Sequence, residues 1–250
     1  GFTLIELMLT LLISFFVIGA ISAAYQSQQK SQANLSQKIQ MQQQLRSLMT
    51  FLSSELRIAG LDPTESTDMW LQALTSGSQR FTKDTDENGL SDGDNEDIEY
   101  GFEDSLVDDS DTDGEPDAGF ATFSRRRNNA ASTAFESLAD NIVAIEFLSV
   151  LEDTSDNDEY DPDTTLTPTA AELDDIRSIS ISILIRANNA DQSFINNNTY
   201  TSASGAIWGP YDDNFRRQLL ITNVKLRNIG LWNDHYQQLI PQALLLSKCS

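Results

Sequence analysis

The sequence predicts an α+β fold in which a long N-terminal helix packs on an antiparallel β-sheet head. Three observations predict it. The chain opens with an apolar, proline-free run, continues without glycine or proline through a glutamine-rich stretch into a leucine stripe, and then changes to short alternating runs. No helical pattern long enough to bridge parallel strands separates those runs, so their pairing is expected to be antiparallel.

The first element is a membrane-spanning helix. Leu4 to Ala24 carry Glu6 as the one ionisable side chain, and about 21 residues at 1.5 Å each give roughly 31 Å, the thickness of a bilayer core. A secretory signal would have a shorter apolar region behind a basic one. A plain single-pass anchor accounts for the length but leaves Glu6 unexplained, since an intramembrane acid costs roughly 2.5–3.5 kcal/mol.

The helix is expected to run on past the membrane. Gln26 to Gln44 are polar and glutamine-rich, and glutamine is a good helix former. Leu45, Leu48, Leu52 and Leu56 then recur at three- and four-residue spacing, with Leu35 and Ile39 on an earlier turn. That stripe predicts an amphipathic continuation laid against the head, stopped by Gly60 and Pro63. The chain thus divides into a transmembrane segment, 1–25, an amphipathic continuation, 26–60, and a β-rich head, 61–250.

Within the head, Asp97–Phe102 and Ala121–Arg125 are short strand-like runs, and Asn141–Leu151 is a longer one. Ser178–Arg186 alternates so regularly that one face should be buried and the other wet. Gln218–Leu226 is the last long run.

A formal charge of −22 excludes an unassisted nucleic-acid binder. The charge is concentrated: Asp84 to Asp117 hold sixteen acidic residues and no lysine or arginine, and Glu152 to Asp175 hold ten more. Dense acid runs are commonly solvated loops, but here the spacing carries more. Asp84, Asp86, Asn88, Gly89 and Asp92 stand at positions 1, 3, 5, 6 and 9 of a loop, and Asp109, Asp111, Asp113, Gly114 and Asp117 repeat the pattern. Alternating oxygen side chains surround a hard cation, the glycine allows the sharp turn, and position 7 (Leu90 or Glu115) offers its carbonyl. Both loops resemble calcium loops of the EF-hand, dockerin and thrombospondin-repeat kind, so calcium is the expected cofactor. They depart from the EF-hand at position 12, where Asn95 and Phe120 replace the bidentate glutamate; Glu96, one residue late, could substitute in the first. The stretch Asp153–Asp161 spaces its acids similarly but lacks the glycine.

Gly1-Phe2-Thr3-Leu4-Ile5-Glu6 followed by the apolar run resembles the N-terminus of type IV pilins and type II secretion pseudopilins. The resemblance implies cleavage after Gly1 by a prepilin peptidase, methylation of the new amine on Phe2, and pairing of Glu6 with the terminal amine of a neighbouring subunit. Gly1 is present with no basic leader before it, so the chain either starts one residue upstream of the mature end or is unprocessed. The partners implied are other pilins, the peptidase and the inner-membrane assembly machinery. The implied location is first a single-pass inner-membrane protein, then a cell-surface or periplasmic filament. Arg216-Arg217 with Thr222-x-Val224-x-Leu226-Arg227-Asn228 resembles the closing strand of PilW-type minor pilins, and Glu55–Gly60 resembles their helix end.

That family implies a minor pilin of a type IV pilus, acting in initiation, assembly or at the tip. Two alternatives share its features: a J-type pseudopilin of type II secretion, and a calcium-dependent surface adhesin on a pilin stalk. Catalysis is not expected. There is no nucleophile elbow, phosphate-cradling loop or histidine–acid set, and the lone Cys249 and His235 lie near the C-terminus.

Overall fold

A computed structural model describes residues 1, 3–64, 69–93, 95–103, 109–127, 135–152 and 163–229. Phe2, the Asp153–Asp161 stretch, His235 and Cys249 fall outside them.

Helix α1 runs unbroken from Leu4 to Leu56, 53 residues. Thr3 caps it: the Thr3 hydroxyl accepts from the Glu6 amide at 3.3 Å, and the Thr3 amide donates to Glu6 Oε2 at 3.4 Å. This reciprocal pair satisfies two of the donors that a helix start leaves open. The helix ends slightly earlier than expected, at Leu56. The four following residues form turns that close on Gly60 at φ 73°. The amides of Ile58 and Ala59 close on the carbonyls of Glu55 and Leu56, both at 3.2 Å, and Asn228 donates from its side-chain amide to the carbonyls of Arg57 and Ala59 in the turn that follows, both at 3.3 Å.

The head is built on an antiparallel sheet whose path runs β1 (Leu71–Leu74), β2 (Gln79–Thr82), β3 (Asp97–Phe102), β4 (Ala121–Arg127), β5 (Phe135–Leu151), β7 (Ile176–Arg186) and β10 (Arg217–Lys225). The short strand β6 (Thr164–Thr165) pairs with β5, and β8 (Tyr200–Thr201) pairs with β9 (Ile207–Trp208) in a separate hairpin. The five expected strands are all present, and β5 starts six residues earlier than the apolar pattern indicated.

Met41, Leu45, Leu48, Met49, Leu52 and Leu56 of α1 are buried against the sheet. At about 1.5–3 kcal/mol per buried side chain, this seam contributes on the order of 10 kcal/mol to docking before entropy is counted. Behind it, Tyr100 stacks on Phe81 and Phe123 and meets Phe51 edge-on, with ring centroids 6.1 to 6.4 Å apart. Leu35 and Ile39 do not join the seam. They are 59% and 43% exposed, because the sheet reaches up the helix only as far as Met41.

The alternation of β7 holds, but its second face is not all wet. Ile179, Ile181, Ile183 and Ile185 face the helix core, whereas Leu184 packs on the other side with Val143, Ala144 and Trp208. The β8–β9 hairpin covers that side. Ser182 accepts from the Ala203 amide at 2.9 Å, and buried Glu146 accepts from both Ser202 and Ser204. Trp208 of β9 is therefore packed on the sheet and only 4% exposed.

Candidate functional site

The two acidic loops and the bare half of α1 are the candidate functional regions. From Leu4 to Tyr25 the large apolar side chains of α1 are exposed, and this stretch is long and apolar enough to cross a membrane. Glu6 lies in its first turn. Its carboxylate already has a local task as the third residue of the capping box, which keeps it beside the positive end of the helix.

The first loop connects β2 to β3. One carboxylate oxygen each of Asp84, Asp86 and Glu96 lie within 4.8 Å of one another. Asp84 is fully buried. Its Oδ2 accepts from the Gly89 amide at 2.9 Å, while its Oδ1 has no hydrogen-bond partner among the described residues. A buried carboxylate oxygen without a donor is costly, and a cation would relieve that cost. Glu87 at φ 62° and Gly89 at φ 80° make the tight turn.

Glu96 takes the closing place that Asn95 does not. Asn95 at φ 75° turns its side chain to accept from Arg125 at 3.0 Å, and this leaves Glu96 facing inward. There the Glu96 Oε1 accepts from the Thr85 amide at 2.9 Å and the Asp86 amide at 3.2 Å, and Oε2 from the Gly93 amide at 2.7 Å. Burial pushes its carboxyl up, but these donors outweigh burial and hold it below the usual range. Asn88 and Asp92 stand at the rim: the Asn88 side-chain amide donates to Asp86 and to Asp92, each at 3.1 Å. Leu90 is 51% exposed, and its amide donates to Asn88 Oδ1 at 2.7 Å.

The second loop gathers Asp109, Asp111 and Asp113, again with one oxygen each within 4.8 Å. Asp109 is buried and accepts from the amides of Asp113 and Gly114, both at 3.1 Å. Burial, with Asp113 and Asp111 adding repulsion, pushes its carboxyl up to about 6. Glu115 is shifted upward for the same reasons. Asp117 turns aside and accepts from the Ser110 hydroxyl at 2.7 Å. Phe120, at position 12, lies under the guanidinium of Arg186 at 3.3 Å, so no acid closes this loop from there.

The surroundings of the loops differ. The second docks on β5: the Ile145 amide donates to the Gly114 carbonyl at 2.8 Å. Gly114 has φ 87°, and a Cβ there would lie 2.1 Å from the Ile145 carbonyl oxygen. Glycine is required twice over, for conformation and for space. The first loop instead adjoins the end of α1. Lys83, next to Asp84 and 4% exposed at its side chain, pairs with Glu55 at 3.2 Å, and Arg125 adds a contact to Glu55 at 3.6 Å. Of the acids singled out by spacing, the structure brings together Asp84 and Asp86 with Glu96, the late substitute, and Asp109, Asp111 and Asp113, while Asp92 and Asp117 stay outside these groups. Spacing had no signal for the Lys83–Glu55 pair, whose partners are 28 residues apart.

The head grips half of α1 and leaves the other half bare, apolar and long enough to cross a membrane. The family model described as Type IV Pilus-assembly protein W matches residues 109–228. The resemblance to PilW-type minor pilins, first carried by the helix end and the closing strand, therefore stands across most of the sheet. Among solved structures, a type IV-like pilin from Thermus thermophilus aligns at 12% identity over 76% of this chain and 99% of its own, with a TM-score of 0.44. No curated protein matches the chain.

Proposed function

We propose that this chain is a minor pilin of a type IV pilus that takes part in initiating, assembling or tipping the filament. The observation that carries the reading is the match of residues 109–228 to the pilus-assembly family, on a head that holds an apolar helix beginning Gly1-Phe2-Thr3-Leu4-Ile5-Glu6. In this role the exposed half of α1 sits first in the inner membrane and then among the helices of other pilins. Prepilin peptidase would cut after Gly1, and Glu6 would pair with the amine of a neighbouring Phe2. The part is structural rather than catalytic.

Calcium belongs to the same proposal. The residues fit it: the donors are all oxygen, each loop brings carboxylates together, and Asp84 Oδ1 has no partner among the described residues. Asp84, Asp86 and Glu96 would hold one ion and Asp109, Asp111 and Asp113 another, with Asn88, Asp92, Asp117 and the Leu90 and Glu115 carbonyls as the remaining sequence candidates. The ions would neutralise like charges that otherwise oppose folding of the head.

The deciding experiment deletes the gene and scores surface pili by electron microscopy beside secretion of exported enzymes. Lost pili with normal secretion is the expected result. Normal pili with lost secretion would make the chain a pseudopilin, and both intact would favour the adhesin. In the complemented strain, Glu6→Ala should leave membrane insertion intact and reduce incorporation into filaments; unchanged incorporation would overturn the pairing role.

A further inference from the structure

The segment Thr82–Asp84 serves two structures at once. On one side it begins the first acidic loop: the Lys83 amide donates to the Glu96 carbonyl at 2.8 Å, and the Asp84 carboxylate enters the Asp84–Asp86–Glu96 group. On the other side it holds the exit of α1. The Gly60 amide donates to the Thr82 carbonyl at 2.9 Å, the Asp84 amide donates to the Leu61 carbonyl at 2.7 Å, and the Lys83 ammonium reaches Glu55 of the last helical turn at 3.2 Å. The Thr64 hydroxyl also donates to Asp84 Oδ2 at 3.4 Å.

Without an ion, three carboxylates crowd one another, and the cation next to Asp84 in the chain, Lys83, is committed to the helix. Repulsion within the loop then acts directly on the backbone that clamps residues 57–61. Among the described residues, the second loop has no hydrogen bond or ion pair to the end of α1; its backbone partner is β5.

We propose that an ion held by Asp84, Asp86 and Glu96 is a latch that fixes the end of α1 on the head, so that helix docking depends on calcium at the first loop and not at the second. The latch rests on the calcium reading above. It gives the two loops separate tasks: the first sets how firmly the membrane helix is joined to the head, and the second supports the sheet. A subunit whose first loop fills on reaching a calcium-rich compartment becomes rigid between helix and head.

The test is hydrogen exchange of the full chain in detergent micelles, stripped with chelator and titrated with calcium chloride alone. Calorimetric titration of the same samples reads binding directly. Calcium should slow exchange of amides in residues 57–61 by at least about tenfold in the parent chain. Asp84→Asn and Glu96→Gln should each abolish that protection, and Asp111→Asn should retain it. Two loop variants are used because either alone could perturb folding, which far-UV circular dichroism checks. Binding without protection of residues 57–61, or protection lost equally in Asp111→Asn, would overturn the latch and leave the calcium reading standing. No calorimetric binding at millimolar calcium would overturn both.

Discussion

The two acidic loops carry the same nine-position pattern, yet the fold uses them differently. In the first, the closing acid Glu96 is held below the usual carboxyl range by three backbone amides, and the loop is tied to the end of α1 through Lys83 and Glu55. In the second, the leading acid Asp109 is pushed up to about 6 by burial, and the loop is tied to the edge of β5 through Gly114. The same spacing brings three carboxylates together in each loop, whereas the neighbours decide which acids join and what each loop is tied to.

Four perturbations sharpen this contrast. The largest effect is expected at Gly114→Ala, where the new Cβ meets the Ile145 carbonyl and φ is positive. The cost should be on the order of 4 kcal/mol, lowering Tm by roughly 10 °C. Gly89→Ala in the first loop should cost only about 1–2 kcal/mol for its left-handed backbone. Equal losses in thermal melts would erase the distinction.

Glu55→Ala comes next. It leaves the buried Lys83 ammonium without its carboxylate, a loss of about 3 kcal/mol. It should loosen the helix end selectively, seen as faster exchange around residues 52–61 with the β5–β7 ladder unchanged. Loss of protection throughout the sheet would show that the pair is not specific to the helix.

The third contrast is a pH dependence of opposite sign in the metal-free chain. Asp109 has a folded pKa near 6 against an ordinary value of 3.8. The folded state then holds an extra proton between those values, and stability falls as pH rises through about 4 to 6, by on the order of 2 kcal/mol. Glu96 is shifted below 4.5, so its contribution is present above that value and is lost as pH falls through its folded pKa. Denaturant melts of Asp109→Asn and Glu96→Gln should therefore differ from the parent chain in opposite pH directions. Parallel profiles would contradict the assignment.

The smallest effect is expected at Asp117→Asn. Its exposed contact with Ser110 lies off the ligand cluster, and a change within about 0.5 kcal/mol is expected without calcium.

Much of this architecture was legible in the chain. An apolar run of bilayer length, a leucine stripe at helical spacing and period-two strands each report on local burial, because a helix or strand places its own side chains without help from distant residues. The Asp-x-Asp-x-Asn/Asp-Gly turns follow the same logic, whereas the pairing of Ser178–Arg186 with Gln218–Leu226 is known only from the fold. The N-terminal hexapeptide was equally local, and the capping box formed by Thr3 and Glu6 gives it a structural expression.

Other features were decided only when distant segments met. Leu35 and Ile39 continue the stripe by spacing but stay exposed, because the extent of the sheet, not the helix, sets where burial begins. The second face of β7 is dry at Leu184 because the β8–β9 hairpin folds over it. Asn95 loses position 12 to Glu96 because Arg125, from another strand, claims its side chain. The sequence by itself determined the long apolar helix, the strands and the clustering of acidic side chains in both loops, since these depend on residues close along the chain. Only the tertiary structure decided which loop clamps the helix and which supports the sheet. That assignment depends on contacts such as Lys83 with Glu55 and Gly114 with Ile145, whose partners are far apart in sequence and brought together by the fold.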